Sequence, residues 1–249
     1  MSLRLRRYAA IALGLPAISL AGPSDYVYVP SVEYGEREID FKYGTWKLKQ
    51  EPVRETAASL GFGYGVTQWW FTEAYVKYEK NPGERTKYDA FEWENKFQLT
   101  EPNQFAVDVG LITEIEIPRA RGEEGYEFKI GALFQGDVGV IRWNANLLFE
   151  RVLRGHSDEP RVTEMGYQLQ AKYTVRRELE VGAQAFGEMG KWNHWEASRE
   201  QNHRVGPAIF GKVKLGDGRE AIRYNAAILF AASHAAPKGT FRMQAEYEF

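Results

Sequence analysis

The feature that most constrains this chain is a two-residue alternation of apolar and polar side chains along almost its whole length. In the last ten residues, TFRMQAEYEF, each odd position from Phe241 to Phe249 is apolar or aromatic, and each even position is polar or charged. Such alternation places one set of side chains on each face of a β-strand. The chain is therefore predicted to consist of strands with one apolar face and one charged face.

The same pattern recurs upstream, clearly from residue 91 onward and more weakly at 38–48, 56–65 and 70–79. The total is about twelve segments of about ten residues, which is the length of a tilted strand that crosses a bilayer. Ten strands is the alternative, because two early segments are irregular. The residues responsible are Gly61, Gly63 and Gly65 in one segment, and Phe71 and Tyr75 on the charged face of the next.

The connections between these segments alternate between short and long. The short ones are rich in tight-turn residues and lie at 66–68, 100–103, 136–137, 176–178 and 216–218. The longer, charged ones lie at 49–55, 80–86, 118–125, 154–161, 191–202 and 233–239. This order is expected of an up-and-down meander with tight turns at one rim and looser loops at the other.

The charged face decides which side of the sheet meets water. It carries far more ionisable groups than a soluble sandwich could bury at several kcal/mol each. The charged face is therefore predicted to line a wet lumen, and the apolar face to contact lipid. An open sheet edge in hydrocarbon would leave backbone groups unsatisfied, so the sheet must close. The predicted fold class is all-β, a single closed up-and-down antiparallel transmembrane β-barrel of about 12 strands.

The first residues have the features of an export signal. A basic stretch at Arg4–Arg7 precedes a short apolar stretch at 8–20, and small residues precede a predicted cleavage site after Ala21. The predicted organisation is a cleaved signal peptide over 1–21 and a barrel over 22–249.

Composition narrows the function classes. The chain contains no cysteine, which excludes disulfides and cysteine-ligated metal sites, and no cofactor is expected. Loss of the three arginines of the signal would move the formal net charge from -2 to -5. A mildly acidic protein has no electrostatic footprint for nucleic acid, so nucleic acid is not expected as a partner.

The export signal, the even set of amphipathic strands and the aromatic terminal strand resemble Gram-negative outer-membrane β-barrel proteins. The terminal strand of this chain, with Phe241, Tyr247 and Phe249, is similar to the C-terminal signal that members of this family present to the barrel-insertion machinery. The resemblance implies a location in the bacterial outer membrane. It also implies that the lipid bilayer and the insertion machinery are partners.

Charges on the predicted lumen face are sorted by sign along the chain. We use the name acidic arc for the group Glu92, Glu94, Asp108, Glu114 and Glu116. We use the name basic arc for the group Arg204, Lys212, Lys214, Arg223 and Arg242. In a ring of twelve strands the two arcs lie roughly opposite each other, where they would either create a field across a water-filled bore or close it with salt bridges.

Three functions fit these features. The first is a narrow porin-like channel for small hydrophilic or charged solutes, and the second is a plugged structural or adhesive barrel. The third is an outer-membrane enzyme with a site at the extracellular rim, where the loops are expected to carry His156, His194, His203 and His234. No catalytic arrangement is recognisable among these histidines, so an enzyme is not expected. Residues 22–35 either fold back into the bore or lead directly into the first strand.

If the basic arc attracts anions, reversing the charges of Lys212, Lys214 and Arg223 will shift the ion preference of a conducting barrel toward cations. The measurement is the reversal potential across a planar bilayer that separates two salt concentrations. An unchanged reversal potential would contradict the assignment of these residues as an anion-attracting ladder.

Overall fold

The computed structural model describes residues 22–47, 53–119, 125–154 and 162–249, and the described part is built from strands. The predicted signal peptide and His156 lie outside the described residues. No helix among the described residues is long and apolar enough to span a membrane. The strands are β1 (Arg37–Lys47), β2 (Arg54–Gly65), β3 (Trp70–Lys80), β4 (Lys87–Gln98), β5 (Asp108–Pro118), β6 (Tyr126–Val138), β7 (Ile141–Arg154), β8 (Thr163–Arg176), β9 (Leu179–Lys191), β10 (His194–Trp195), β11 (Asn202–Lys214), β12 (Ala221–Ala231) and β13 (Gly239–Glu248).

All of these strands except the two-residue β10 form one closed antiparallel barrel of twelve strands. Sequential neighbours pair around the ring, β9 pairs with both β8 and β11, and β13 closes the ring by pairing with β1. The closure extends to the last residue, because the Phe249 amide donates to the Arg37 carbonyl at 2.9 Å. The predicted fold class and meander are confirmed. The short β10 only extends β9 at one rim.

The two faces of the barrel have the predicted orientation. On β1, Ile39 and Phe41 point outward and are 43% and 41% exposed, whereas Asp40 and Lys42 point inward and are 1% and 4% exposed. The other strands repeat this arrangement. An apolar belt therefore surrounds the barrel where lipid would lie, and the ionisable groups line the bore.

The irregular early strands fit each other, which settles the choice between ten strands and twelve. Gly61 and Gly63 lie on the inner face of β2, where a Cβ on either would collide with the Tyr75 and Phe71 rings of β3. Both rings are buried in the bore, and the Tyr75 hydroxyl donates to Asp40 at 2.8 Å. The glycines thus make room for inward aromatic rings, so both segments are barrel strands.

Several expectations about the connections are wrong. The turn predicted at 136–137 lies within β6, which continues to Val138, and His194 lies on β10 rather than in a loop. The connection predicted at 100–103 is longer than expected, because β5 begins only at Asp108. The Asp108 carboxylate accepts from the Asn103 amide at 2.8 Å, and this turn occupies the preceding residues. His203 lies in β11 rather than in a loop, because β11 continues its pairing with β9 to Asn202.

Substituting Gly61→Val will destabilise the barrel, because the added side chain collides with the buried Tyr75 ring. The expected loss is about 1–3 kcal/mol, which is typical of overpacking. The free energy of unfolding can be measured by urea titration of the protein refolded in detergent micelles. Gly218→Val is the control, since the nearest atom to its Cβ would lie 3.9 Å away. Equal stability of the two variants would contradict this packing.

Candidate functional site in the bore

The bore is occupied by residues that precede the first strand. We call Gly22–Gly35 the N-terminal segment. Its start lies against Gly44 near one end of β1, and Glu33 lies against Gly65 at the opposite end of the barrel. The segment therefore runs lengthwise through the lumen, which answers the question that the sequence left open. We call the rim next to Gly65 periplasmic, because the short turns lie there, as in barrels of this class.

Polar groups of the barrel hold this segment at several levels. The Tyr26 hydroxyl donates to Glu94 at 2.7 Å, and the Tyr28 hydroxyl donates to Glu114 at 3.1 Å. Lower down, the Val32 amide donates to the Gln98 side chain at 2.8 Å. Two members of the acidic arc thus serve as acceptors for the N-terminal segment. On the other side of the bore, Arg204 of the basic arc donates to the Gly22 carbonyl at 3.5 Å.

Two apolar clusters inside the bore complete the contact. Tyr28 packs with Ile112, Leu133 and Leu148, which are 0%, 0% and 1% exposed. Val27 packs on the opposite side with a second cluster, formed by Phe186, Ala208, Phe210, Ala227 and Leu229. These apolar residues, which contact the N-terminal segment, were not predicted from the sequence. The signal for them is a set of apolar side chains in phase with the charged face rather than with the lipid face.

Around the wall, polar side chains form a continuous chain of hydrogen bonds that we call the polar belt. Its contacts are 2.7–3.2 Å long and join amides, one arginine, one carboxylate and one tyrosine. In order around the wall, the members are Gln135, Asn144, Gln170, Gln184, Arg242, Asn225, Gln244, Asp40 and Tyr75. Each of these bonds joins two wall residues, but Arg242 Nε and Nη2 and Asp40 Oδ1 lie buried without a hydrogen-bond partner among the described residues.

Two lysines on the same side of the bore pair with three carboxylates of the acidic arc. Lys77 contacts Glu92 at 2.9 Å and also pairs with Glu116, and Lys129 contacts Glu114 at 2.9 Å. Carboxylate oxygens of Glu92, Glu114 and Glu116 lie within 4.8 Å of one another, and these two ammonium groups contact all three. Asp108 stands apart from the others, because its carboxylate caps the turn at the periplasmic rim.

The basic arc is divided into two parts. Lys212 and Arg223 both pair with Glu248 at the end of β13, and Lys214 lines a small cavity at the same rim. Higher in the bore, the guanidinium carbons of Arg204 and Arg242 lie 5.7 and 5.9 Å from the centre of the Phe186 ring. The arc is therefore not a continuous ladder of free cations. Whether it selects ions stays a prediction.

Among the described histidines, His203 is held by two side-chain contacts. The Tyr167 hydroxyl lies 3.0 Å from His203 Nδ1, and Gln201 Oε1 lies 2.7 Å from His203 Nε2. Both ring nitrogens are thus engaged by groups that hold the imidazole in place. His194 lies exposed on β10. These contacts leave His203 without a free nitrogen to act as a base.

Substituting Lys129→Met will destabilise the barrel, because it leaves the buried carboxylates of Glu114 and Glu150 without their ammonium partner. The expected loss is about 3–5 kcal/mol, measured by urea titration in micelles. Lys87→Met is the control, since Lys87 forms a more exposed rim pair with Glu79 at 3.0 Å and its loss will change stability little. Similar losses in the two variants would contradict the idea that burial makes the Lys129 contacts costly to break.

Comparison with known proteins identifies the fold. No family model matches the chain, and no curated protein matches it in sequence. Solved structures do match, and all of the following likenesses are in fold alone. The NanC porin has 9% identity and a TM-score of 0.56, covering 86% of this chain and 100% of that chain.

Two further structures have the same fold. An outer-membrane channel from Pseudomonas putida F1 has 12% identity and a TM-score of 0.57, covering 92% of this chain and 100% of that one. The translocator domain of the autotransporter NalP from Neisseria meningitidis has 14% identity and a TM-score of 0.52, covering 87% and 89%. Together with the closed barrel and its apolar belt, these matches place the chain in the structural class of bacterial outer-membrane β-barrels.

Proposed function

We propose that the protein is a narrow outer-membrane channel for small hydrophilic or charged solutes, and that its N-terminal segment controls the open width of the bore. The observation that carries this proposal is that the segment lies in the bore without belonging to the sheet. Between Gly22 and Val32, the one hydrogen bond between backbone groups joins Asp25 to Gly22 within the segment itself. Moving this stretch would therefore break no hydrogen bond of the barrel ladder.

The barrel can remain closed without the segment. Ring closure depends on pairing between β13 and β1 and between β8 and β9, and the segment contributes to neither pair. The polar belt and the lysine–carboxylate pairs are bonds between wall residues. A bore emptied of the segment would thus keep an ordered, charged lining that suits water and small polar solutes.

The energy of displacement is modest but unfavourable. A typical hydrogen bond contributes about 0.5–1.5 kcal/mol net, and only a few such bonds hold the segment. Displacement would also expose Val27, Tyr28 and their two apolar clusters to water, at about 25 cal/mol per Å² of apolar surface. The proposal therefore predicts a resting state with the segment inside and a less populated state with a wider path.

The proposal assigns no catalytic activity to the protein. The engaged ring nitrogens of His203 support this view, and so does the function of the buried carboxylates as partners of lysines and tyrosines. The lipid bilayer and the barrel-insertion machinery are proposed as partners on the same grounds as in the sequence analysis. The terminal-strand aromatics Phe241, Tyr247 and Phe249 lie partly exposed on the outside.

Deleting residues 22–32 will raise single-channel conductance in planar bilayers severalfold, because it removes the chain from the bore. The wild type is expected to show small or rare openings. Heat-dependent migration on gels can verify that the deleted protein still folds as a barrel. Tyr34→Ala is the control, since Tyr34 is 60% exposed and lies outside the packed part of the segment. A folded deletion variant with wild-type conductance would overturn the proposal.

A crosslink tests whether the segment must move. The chain contains no cysteine, so Tyr26→Cys with Glu94→Cys provides a unique pair at a contact between segment and wall. A reducible bifunctional thiol reagent that joins them should suppress the larger openings, and reduction should restore them. The single Tyr26→Cys variant treated identically is the control. Large openings that persist in the crosslinked protein would contradict gating by movement of the segment.

A further inference from the structure

The N-terminal segment does not fill the periplasmic half of the bore. A cavity of about 490 Å³ lies there between the segment and the wall. This size is in the range of sites for small molecules, which is about 300–1,000 Å³. Tyr26 and Val32 of the segment line one side, and Phe71 and Phe210 lie among the wall residues. The cavity is thus a concave, partly aromatic space bordered by charged groups.

The charges around this cavity are sorted by sign into two walls. We define the acidic wall as Glu38, Glu94 and Glu246, which lie on the adjoining part of the ring formed by β1, β4 and β13. We define the basic wall as Lys172, Arg177, Lys212 and Arg223, which belong to β8, the turn after it, β11 and β12. The two walls adjoin where β12 pairs with β13, because Arg223 lies opposite Glu246 in the strand register. Elsewhere they lie on different parts of the ring, and Glu33, Glu36 and Glu180 also line the cavity.

The acidic wall lacks cationic partners. Among the described residues, no cationic nitrogen lies within 4.0 Å of the carboxylates of Glu38, Glu94 or Glu246, and Glu94 instead accepts from the Tyr26 hydroxyl. Lys96 also lines the cavity, but its ammonium lies 4.9 Å from the centre of the Phe71 ring and neutralises only part of the wall. Three partly or fully buried carboxylates, with Lys96 near them and Arg223 opposite Glu246 in the strand register, leave a net negative surface. Burial makes such a surface favourable for a cation that can replace lost hydration.

The basic wall keeps a net positive charge. Lys172 pairs with Glu180 at 3.1 Å, while Lys212 and Arg223 share the single carboxylate of Glu248. Arg223 also lies 3.8 Å from Glu36. Arg177 forms no ion pair within the described residues, and it lies in the turn between β8 and β9. A ligand carboxylate at this wall would therefore have a cationic donor available without displacing a pair.

We propose that this cavity binds a small zwitterion of the amino acid and short-peptide class, with its ammonium at the acidic wall and its carboxylate at the basic wall. A simple cation would be attracted by one wall and repelled by the other, and so would a simple anion. An ion that carries both charges at its two ends matches both walls. This site gives the proposed channel a solute class. Binding of the zwitterion does not depend on the channel function, whereas its passage through the bore rests on that proposed function.

The test uses the dipeptide alanyl-alanine and three capped forms of the same backbone. These are the N-acetyl dipeptide, the dipeptide amide and the doubly capped neutral compound. Calorimetric titration into the full-length protein in detergent micelles gives the dissociation constants. Capping either end should weaken binding on the order of tenfold, because each cap removes one charged contact. The doubly capped compound should bind most weakly.

Variants assign each end of the ligand to its wall. Glu38→Gln combined with Glu246→Gln should weaken the free dipeptide and the amide, but not the N-acetyl form. Arg177→Gln should weaken the free dipeptide and the N-acetyl form, but not the amide. Arg176→Gln is the matched control, because Arg176 is the neighbouring exposed arginine and does not line the cavity. Glutamine keeps the size and polarity of the side chains, so folding should be maintained.

Equal affinity for the neutral and zwitterionic compounds would overturn the inference, and so would wild-type affinity in the Glu38/Glu246 variant. No measurable binding of the free dipeptide would overturn it as well. The conductance of the variant lacking residues 22–32 separates this outcome from failure of the channel function. A conducting barrel that does not distinguish the compounds retains the channel and loses the zwitterion site. A barrel that binds the dipeptide but never conducts retains the site and loses the channel.

Discussion

The whole structure depends on closing a ring of backbone hydrogen bonds in a medium that offers none. Lipid cannot satisfy the edge of a sheet, so β13 must pair with β1, and this pairing runs from Glu38 and Glu248 to Lys47 and Gly239. Closure then divides the side chains by their alternation, with one set in the bilayer and the other in an enclosed space. Every later feature, including the N-terminal segment, is a way of filling that enclosed space with groups that tolerate burial.

The enclosed space contains many charged side chains, and most of their ion pairs form between neighbouring residues of the wall. Lys77 and Lys129 pair with carboxylates of the acidic arc, and Glu248 pairs with cations at the periplasmic end of the basic arc. The opposite arcs therefore do not need to meet across the axis. This arrangement leaves the centre available to the N-terminal segment, whose tyrosine hydroxyls and backbone groups complete the remaining hydrogen bonds. A wall whose backbone ladder closes on its own strands, with a separable segment inside it, is the physical basis of the proposed channel.

Much of the fold was predictable because alternation is a local signal. The phase of Ile39, Asp40, Phe41 and Lys42 is visible in four residues, and closure follows from the properties of hydrocarbon. The beginning of β5 was not predictable in this way, because the carboxylate of its first residue, Asp108, accepts from the backbone amide of Asn103 five residues earlier and caps the turn. Tyr75 is an aromatic residue at a position that the alternation assigns to the charged inner face. Gly61 on the paired strand makes room for its ring, and this complementarity exists only between paired strands.

The sequence by itself determined that the chain forms a closed barrel with a charged lumen, because the period of two and the cost of burying ions allow no other arrangement. It also predicted that charges such as Glu114 face inward. Only the tertiary structure decided that residues 22–35 enter the bore, which charges pair, and where an unfilled cavity remains. These features depend on contacts between residues far apart in the chain, such as Tyr28 with Glu114 and Asn146. The two-residue alternation does not predict such contacts, because each depends on how side chains from distant parts of the chain fit together across the bore.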